Sequence, residues 1–148
     1  MKPSMTSLVF PDVNVWLAMS HPAHMHHETA LRWFHALDDD AVLVFCRHTQ
    51  LGLFRLLTSE AVLRQDVRTQ RQCWDLYDRW VEPGKAVVAI EPPEIEDELR
   101  NRTSSDSPNP KEWADAFLAA FAETAQLTLV TFDRALAGKV QGAVLLEQ

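Results

Sequence analysis

Short apolar runs of strand character alternate with helix-patterned segments along this chain, and this order restricts the folds open to it. The runs cover residues 8–10, 41–45, 86–90, 127–130 and 143–146, and apolar residues at helical spacing occur between them. A strand, a helix and a second strand in succession favour a parallel pair, because the chain crosses over before it returns to the sheet. The sequence therefore predicts an α/β fold with a central, mainly parallel β-sheet flanked by α-helices.

Length and composition predict one globular domain over residues 1–148. The 148 residues can bury a core, and 47% hydrophobic with 24% charged residues excludes global disorder. No apolar run approaches the ~20 residues that span a bilayer, so we expect no membrane association. Cys46 and Cys73 are too few for a disulfide framework, which predicts free thiols in a reducing cytoplasm.

The net charge of −7 argues against a protein that binds nucleic acid by its overall electrostatic field. It does not exclude a nuclease whose acidic residues bind a metal ion while local basic residues meet the substrate. Part of the excess negative charge lies in an acidic segment at residues 91–98, and this segment suits a solvated helix start.

Two aspartates come at the ends of apolar runs. Asp12 follows the run 8–10, Asp133 follows the run 127–130, and Asn14 and Thr131 lie two residues from them. In open α/β sheets, functional groups gather where the chain leaves the carboxyl ends of the strands. Each aspartate alone is ambiguous, because aspartate is also a good helix N-cap.

A third aspartate is harder to explain by structure. Asn109, Pro110 and Glu112 predict a helix start with an Asn cap and a capping-box Glu. Asp115 lies past that cap, where aspartate is a poor helix former. The same helix is predicted to bury Trp113, Phe117, Ala120 and Phe121.

Carboxylates that converge repel one another unless a cation lies between them. Asp12, Asp115 and Asp133 therefore predict a hard metal such as Mg²⁺ or Mn²⁺. A fourth segment, Thr49-Gln50-Leu51, carries an amide in place of an acid.

The ordered set of motifs resembles a known family. The stretches are PDVNVWLAMS from residue 11, RHTQLGLFRLLT from residue 47, WADAFLAAFA from residue 113 and LVTFDRALA from residue 129. Together they resemble the PIN domain, and more narrowly the VapC toxins of bacterial toxin–antitoxin pairs, over residues 8–146. The resemblance implies an endoribonuclease that depends on Mg²⁺ or Mn²⁺, forms a homodimer and is neutralised by a cognate antitoxin protein.

The resemblance also implies roles for individual residues. Asp12, Asp115 and Asp133 match metal-binding acids, and Asn14 and Thr131 join them in the catalytic set. Gln50 stands where most PIN domains have a Glu, so it keeps hydrogen-bonding capacity but brings no charge. We expect one firm metal site and a second that is filled only with substrate.

Arg55 and a group of histidines have more than one possible role. For Arg55, a phosphate contact with the substrate and a buried ion pair are both open. His21, His24, His26 and His27 match no structural zinc pattern and are predicted to form a polar loop before a helix.

Two alternative functions are open. Gln50 allows a PIN fold that binds RNA or protein without cleavage. A phosphohydrolase with Asp12 as nucleophile is the less favoured alternative, because that chemistry usually requires a second acid at the position of Asn14.

Overall fold

The computed structural model describes residues 7–147 and contains one five-stranded sheet. The strands are β1 (Leu8–Pro11), β2 (Val42–Phe45), β3 (Ala86–Val88), β4 (Thr128–Thr131) and β5 (Val144–Leu145). Their order is β3-β2-β1-β4-β5, and every neighbouring pair is parallel. The predicted α/β architecture is thus confirmed.

Helices connect the strands and cover the sheet. They are α1 (Val13–Ser20), α2 (His27–His35), α3 (Arg47–Leu57), α4 (Glu60–Leu63), α5 (Gln70–Val81), α6 (Ile95–Arg102), α7 (Glu112–Ala125) and α8 (Arg134–Ala137). A short 3₁₀ turn, Arg64–Asp66, follows α4. Among residues 7–147, no helix has the length and apolar character of a membrane span.

The core has two parts because successive strand residues point to opposite faces of the sheet. Val9 packs with Trp16 and Leu53 in the part that α1, α2, α3 and α5 cover. Phe10 packs with Phe121 and other residues of α7 in the second part. Each large side chain buried in this way contributes about 1.5–3 kcal/mol to stability. Cys46 and Cys73 are buried and free, as predicted.

The register of β1 against β4 places the first two aspartates side by side. Phe10 pairs with Leu129 and Pro11 with Val130. Proline has no N–H to donate, and the Val130 carbonyl instead accepts a 2.9 Å hydrogen bond from the Asp12 N–H. The two strands therefore end together, with Asp12 opposite Thr131.

The predicted start of α7 is wrong. Asn109 has a left-handed φ of 41°, and the helix begins at Glu112 without a side-chain cap. The Glu112 carboxylate pairs with the Lys139 ammonium group instead of closing a capping box. Trp113, predicted to be buried, is 57% exposed, since the inward face of α7 consists mainly of small residues and Phe121. Phe117 is half-buried and Ala120 fully buried.

Candidate active site

Thr131 joins the first two aspartates at the carboxyl ends of β1 and β4. Its hydroxyl donates to Asp12 Oδ2 at 3.0 Å and accepts from the Asp133 backbone N–H at 3.0 Å. The Thr131 side chain is fully buried, so solvent does not compete for either hydrogen bond. One hydroxyl therefore fixes the Asp12 carboxylate and the backbone that carries Asp133.

Both aspartates are also helix N-caps, which was the structural alternative for each. Asp12 Oδ1 accepts from the Val13 N–H at 2.7 Å at the start of α1. Asp133 Oδ1 accepts from the backbone N–H groups of Ala135 and Leu136 at the start of α8. The caps hold the carboxylates in place and leave Asp133 Oδ2 outside the cap. Capping and a functional role are therefore compatible at both positions.

Asp115 completes a group of three carboxylates that interact electrostatically. Burial raises the pKa of Asp115, and the charges of Asp133 and Asp12 raise it further. Burial also raises the pKa of Asp12, while Thr131 and Val13 lower it by hydrogen bonding and Asp133 raises it. Because α7 starts at Glu112, Asp115 lies in its first turn, where an acid suits the helix dipole. The expectation that Asp115 has no structural reason for its place is wrong.

Two basic side chains interact with two of the three acids, and the sequence interpretation did not place them in the site. His48 lowers the pKa of Asp12, and Lys139 lowers that of Asp115. His48 lies at the start of α3, directly after β2, the strand beside β1. That position was a usable signal for His48. Lys139 follows α8, where no pattern in the sequence marked it.

Gln50 is buried at the start of α3 and bonded to other side chains. It is 1% exposed, and its Oε1 accepts from Arg47 Nη1 at 2.5 Å. Its amide also hydrogen-bonds to the Tyr77 side chain. Because the guanidinium is charged, this hydrogen bond is charge-assisted, and the neutral amide fixes the position of the Arg47 side chain.

Asn14 and Arg55, the remaining predicted site residues, are both exposed. Asn14 is the second residue of α1, two positions after Asp12. Arg55 lines a cavity of about 330 Å³ together with Leu51, Phe54 and Trp74. This cavity contains none of the three aspartates. A buried ion pair at Arg55 is wrong, because the side chain is exposed.

The comparisons with known proteins agree with the fold. Residues 9–140 match the PIN domain family. The chain belongs to this family. It is 39% identical over 128 residues to Ribonuclease VapC41 of Mycobacterium tuberculosis, and the match covers 84% of this chain and 88% of VapC41.

Solved structures of PIN domains share the architecture. A crystal structure of VapC20 from Mycobacterium tuberculosis, described as a Sarcin-Ricin loop cleaving toxin, matches with a TM-score of 0.67 at 16% identity. That match covers 96% of this chain and 100% of VapC20. The FitAcB structure from Neisseria gonorrhoeae matches with a TM-score of 0.53 at 20% identity, covering 93% and 96% of the two chains. At these identities the likeness concerns the fold alone.

The acids of this PIN domain differ from a closed metal-ligand cage. Within the described residues 7–147, no group of three or more His, Cys, Asp or Glu side chains is close enough to hold an ion by itself. The donor set consists of carboxylate oxygens, which hard divalent cations prefer. Mg²⁺ usually keeps several water ligands and takes only one or two carboxylates from a protein. The donor chemistry therefore fits an ion that is held partly through water.

Proposed function

We propose that this PIN domain is a metal-dependent endoribonuclease, acting in the cytoplasm as the toxin of a toxin–antitoxin pair. The observation that carries the proposal is the grouping of three acids at the carboxyl edge of a parallel sheet. The Thr131 hydroxyl links the Asp12 carboxylate to the Asp133 backbone, and Asp115 interacts electrostatically with both aspartates. Asp12 is buried, Asp115 is partly buried and Asp133 is exposed. Repulsion among neighbouring carboxylates costs stability, and a bound cation removes that cost. The 39% identity to a protein named a ribonuclease supports RNA as the substrate.

Asp12, Asp115 and Asp133 would hold Mg²⁺ or Mn²⁺. When bound, such an ion activates a water molecule and stabilises charge on the scissile phosphate. Thr131 keeps the Asp12 carboxylate oriented by its 3.0 Å hydrogen bond. Asn14, exposed two residues after Asp12, can offer an amide to water or to the phosphate.

Gln50 limits the charge that the protein brings to the site. With an amide in place of an acid, the three aspartates would hold one metal ion firmly, and a second ion would need oxygens from the substrate phosphate. Arg47, which Gln50 holds, is an exposed cation at the end of β2 and can meet that phosphate. Arg55 is proposed as a more distant substrate contact.

The proposed partners are a cognate antitoxin and a second copy of the chain. The FitAcB structure and a structure of FitAB bound to a DNA fragment share the fold of this chain. A homodimer is supported by an apolar surface on α3 and α5, where Leu51 is 55% and Trp74 49% exposed beside Phe54. Burial of such a patch stabilises association.

A second candidate function is a PIN fold that binds RNA or protein without cleaving it. The Gln50–Arg47 bond favours it, because the residue at the usual Glu position is engaged with a cation. Expression of the wild type and of Asp12→Asn without any partner separates the two functions. Growth arrest with new RNA ends in the wild type, absent in Asp12→Asn, supports the nuclease. Equal growth arrest by both proteins, without new RNA ends, supports the binding module and overturns the nuclease proposal.

A further inference from the structure

A cavity of about 320 Å³ lies at the starts of α3 and α7, and of its walls the function proposed above uses Arg47 alone. Its walls come from three separate parts of the chain. The start of α3 contributes Arg47 and His48, the chain after β3 contributes Ala89 and Glu91, and α7 contributes Phe117. We call this space the aromatic cavity. Its volume is at the lower end of the ~300–1,000 Å³ range typical of small-molecule sites.

The aromatic cavity lies at the same end of the sheet as the aspartates, since its walls include the start of α3 after β2 and Phe117, two residues after Asp115 on α7. His48 lines the cavity and also interacts electrostatically with Asp12. Arg47 lines the cavity and donates to Gln50 at 2.5 Å. A molecule held in this space therefore contacts His48, which interacts with Asp12, and Phe117, which shares α7 with Asp115. The other described cavities have none of these residues in their walls.

The wall chemistry suits a flat, hydrogen-bonding heterocycle. The rings of His48 and Phe117 have centroids 5.6 Å apart, at an angle of 58°. Phe117 is in turn backed by Phe121, with ring centroids 6.0 Å apart. Arg47 offers donors at the rim and Glu91 offers an acceptor. A purely apolar ligand would leave these two groups unused.

A chain with a net charge of −7 gains little attraction for RNA from its overall field. Contacts with the bases must supply part of the binding free energy. Proteins bind unpaired RNA bases by stacking them on aromatic side chains or on Arg guanidinium planes and by hydrogen bonds to the base edges.

We propose that the aromatic cavity holds one unpaired nucleobase of the RNA strand, next to the phosphodiester bond that is cut. Phe117 provides the stacking face, the tilted His48 ring meets the edge of the base, and Arg47 and Glu91 give the cavity a preference among bases. This proposal rests on the proposed ribonuclease function. It adds a specificity-determining subsite to that function.

The test fills the cavity without touching an aspartate. Ala89→Leu places a larger side chain in the space, while Val87→Leu adds apolar bulk to the same edge of the sheet outside it. Phe117→Leu removes the ring but keeps an apolar side chain. A pool of random-sequence single-stranded RNA with Mn²⁺ is the substrate, and the cut ends are sequenced. Circular dichroism melting checks that each variant is folded.

We expect the wild type and Val87→Leu to share one base preference at a fixed position beside the cut. Ala89→Leu and Phe117→Leu should lose this preference, and their kcat/KM should fall about tenfold or more, which matches the loss of one stacked base. If both folded variants cut with the preference and rate of Val87→Leu, the aromatic cavity does not hold a substrate base, and the proposal is overturned.

A binding measurement separates this proposal from the ribonuclease proposal. RNA that contains 2-aminopurine loses fluorescence when the modified base stacks on an aromatic ring. Asp12→Asn should quench it, and Asp12→Asn combined with Ala89→Leu should not. If the wild type cuts no RNA but this difference is observed, the ribonuclease proposal fails and the base-binding cavity stands. Equal quenching by the two variants overturns the proposal that the aromatic cavity binds a base.

Discussion

Thr131 is the residue on which the geometry of two aspartates depends. Its buried hydroxyl is shared between the Asp12 carboxylate and the Asp133 backbone, one as acceptor and one as donor. A hydroxyl can serve both because it carries one donor and two acceptor sites. Loss of the hydroxyl would leave the Asp12 carboxylate and the Asp133 N–H without this hydrogen-bond partner. At a solvated position water would take the place of the hydroxyl, but Thr131 is fully buried.

Thr131→Val should therefore affect catalysis more than folding. The isosteric side chain still fills its space, so we expect a stability loss of about 1–3 kcal/mol from the lost hydrogen bonds. Misplacement of the Asp12 carboxylate should lower kcat by roughly 10- to 100-fold. Single-turnover RNA cleavage and urea unfolding measure the two effects. Thr131→Ser keeps the hydroxyl and should stay close to the wild type, and equal kcat for the Val and Ser variants would remove Thr131 from the site.

Asp12 should cost the protein stability at neutral pH when no divalent cation is present. Its pKa is raised above the ordinary 3.8, chiefly by burial, so the folded state binds the proton more tightly than the unfolded state. Stability then falls as pH rises through the interval above 3.8 and stays lower at pH 7. Asp12→Asn in EDTA at pH 7 should raise the Tm, because Asn still caps α1 and the buried charge is removed, which outweighs the lost bond from Thr131.

The exposed Asp75 in α5 supplies the matched control. Asp75→Asn should leave the Tm within about 1 °C of the wild type, since surface substitutions change stability little. The gain of Asp12→Asn should disappear in acid, where Asp12 is protonated. A lower Tm for Asp12→Asn than for the wild type at pH 7 in EDTA would contradict the burial argument.

At the scale of elements, the contact between α1 and α3 places Asp12 relative to the start of α3. Gly52 of α3 lies against Val13, the first residue of α1 after Asp12. A Cβ at Gly52 would come within 2.9 Å of Val13 Cγ2, closer than real contacts allow. The valine is β-branched and stiff, so it cannot easily turn away. The glycine therefore sets how closely the two helices approach.

Gly52→Ala should destabilise the fold although alanine is the better helix former. The propensity gain is at most ~1 kcal/mol, and overpacking costs about 1–3 kcal/mol. The double variant Val13→Ala with Gly52→Ala removes the clash, and it should be at least as stable as Val13→Ala alone. Urea denaturation of the four proteins forms a double-mutant cycle. A stabilised Gly52→Ala single variant would show that the helices have room to spare.

The ends of β1 and β4 and the helix caps at Asp12 and Asp133 could be predicted from the sequence, and the start of α7 could not. Two apolar runs, which end at Phe10 and Val130, mark buried strands because consecutive residues on both faces of each strand are apolar. Asp12 and Asp133 come shortly after these runs, so their place at the strand ends could be predicted. The start of α7 depends on the Lys139–Glu112 pair, which joins residues far apart in the chain. The hydrogen bond between Gln50 and Tyr77 likewise depends on packing between α3 and α5. Local patterns carry no information about such tertiary contacts.

At the scale of the whole molecule, the apolar surface on α3 and α5 bears on assembly. Trp74 is half exposed and packs edge-on against Phe54, with ring centroids 5.0 Å apart. Trp74→Glu should convert the proposed homodimer into a monomer, because a carboxylate in an apolar interface has no partner for its charge. Light scattering after gel filtration measures the mass. Trp113→Glu, on an exposed position of α7, is the control and should leave the mass unchanged. A wild-type monomer would contradict the dimer.

Metal dependence of RNA cleavage tests the central proposal most directly. Purified wild type and Asp12→Asn are incubated with single-stranded RNA in Mg²⁺, in Mn²⁺ and in excess EDTA, and cut products are counted over time. The wild type should cut in either metal, stop in EDTA and recover when Mg²⁺ is restored, while the folded Asp12→Asn variant should remain inactive throughout. Cleavage by the wild type at the same rate in excess EDTA would contradict the proposal that the three aspartates work through a divalent cation.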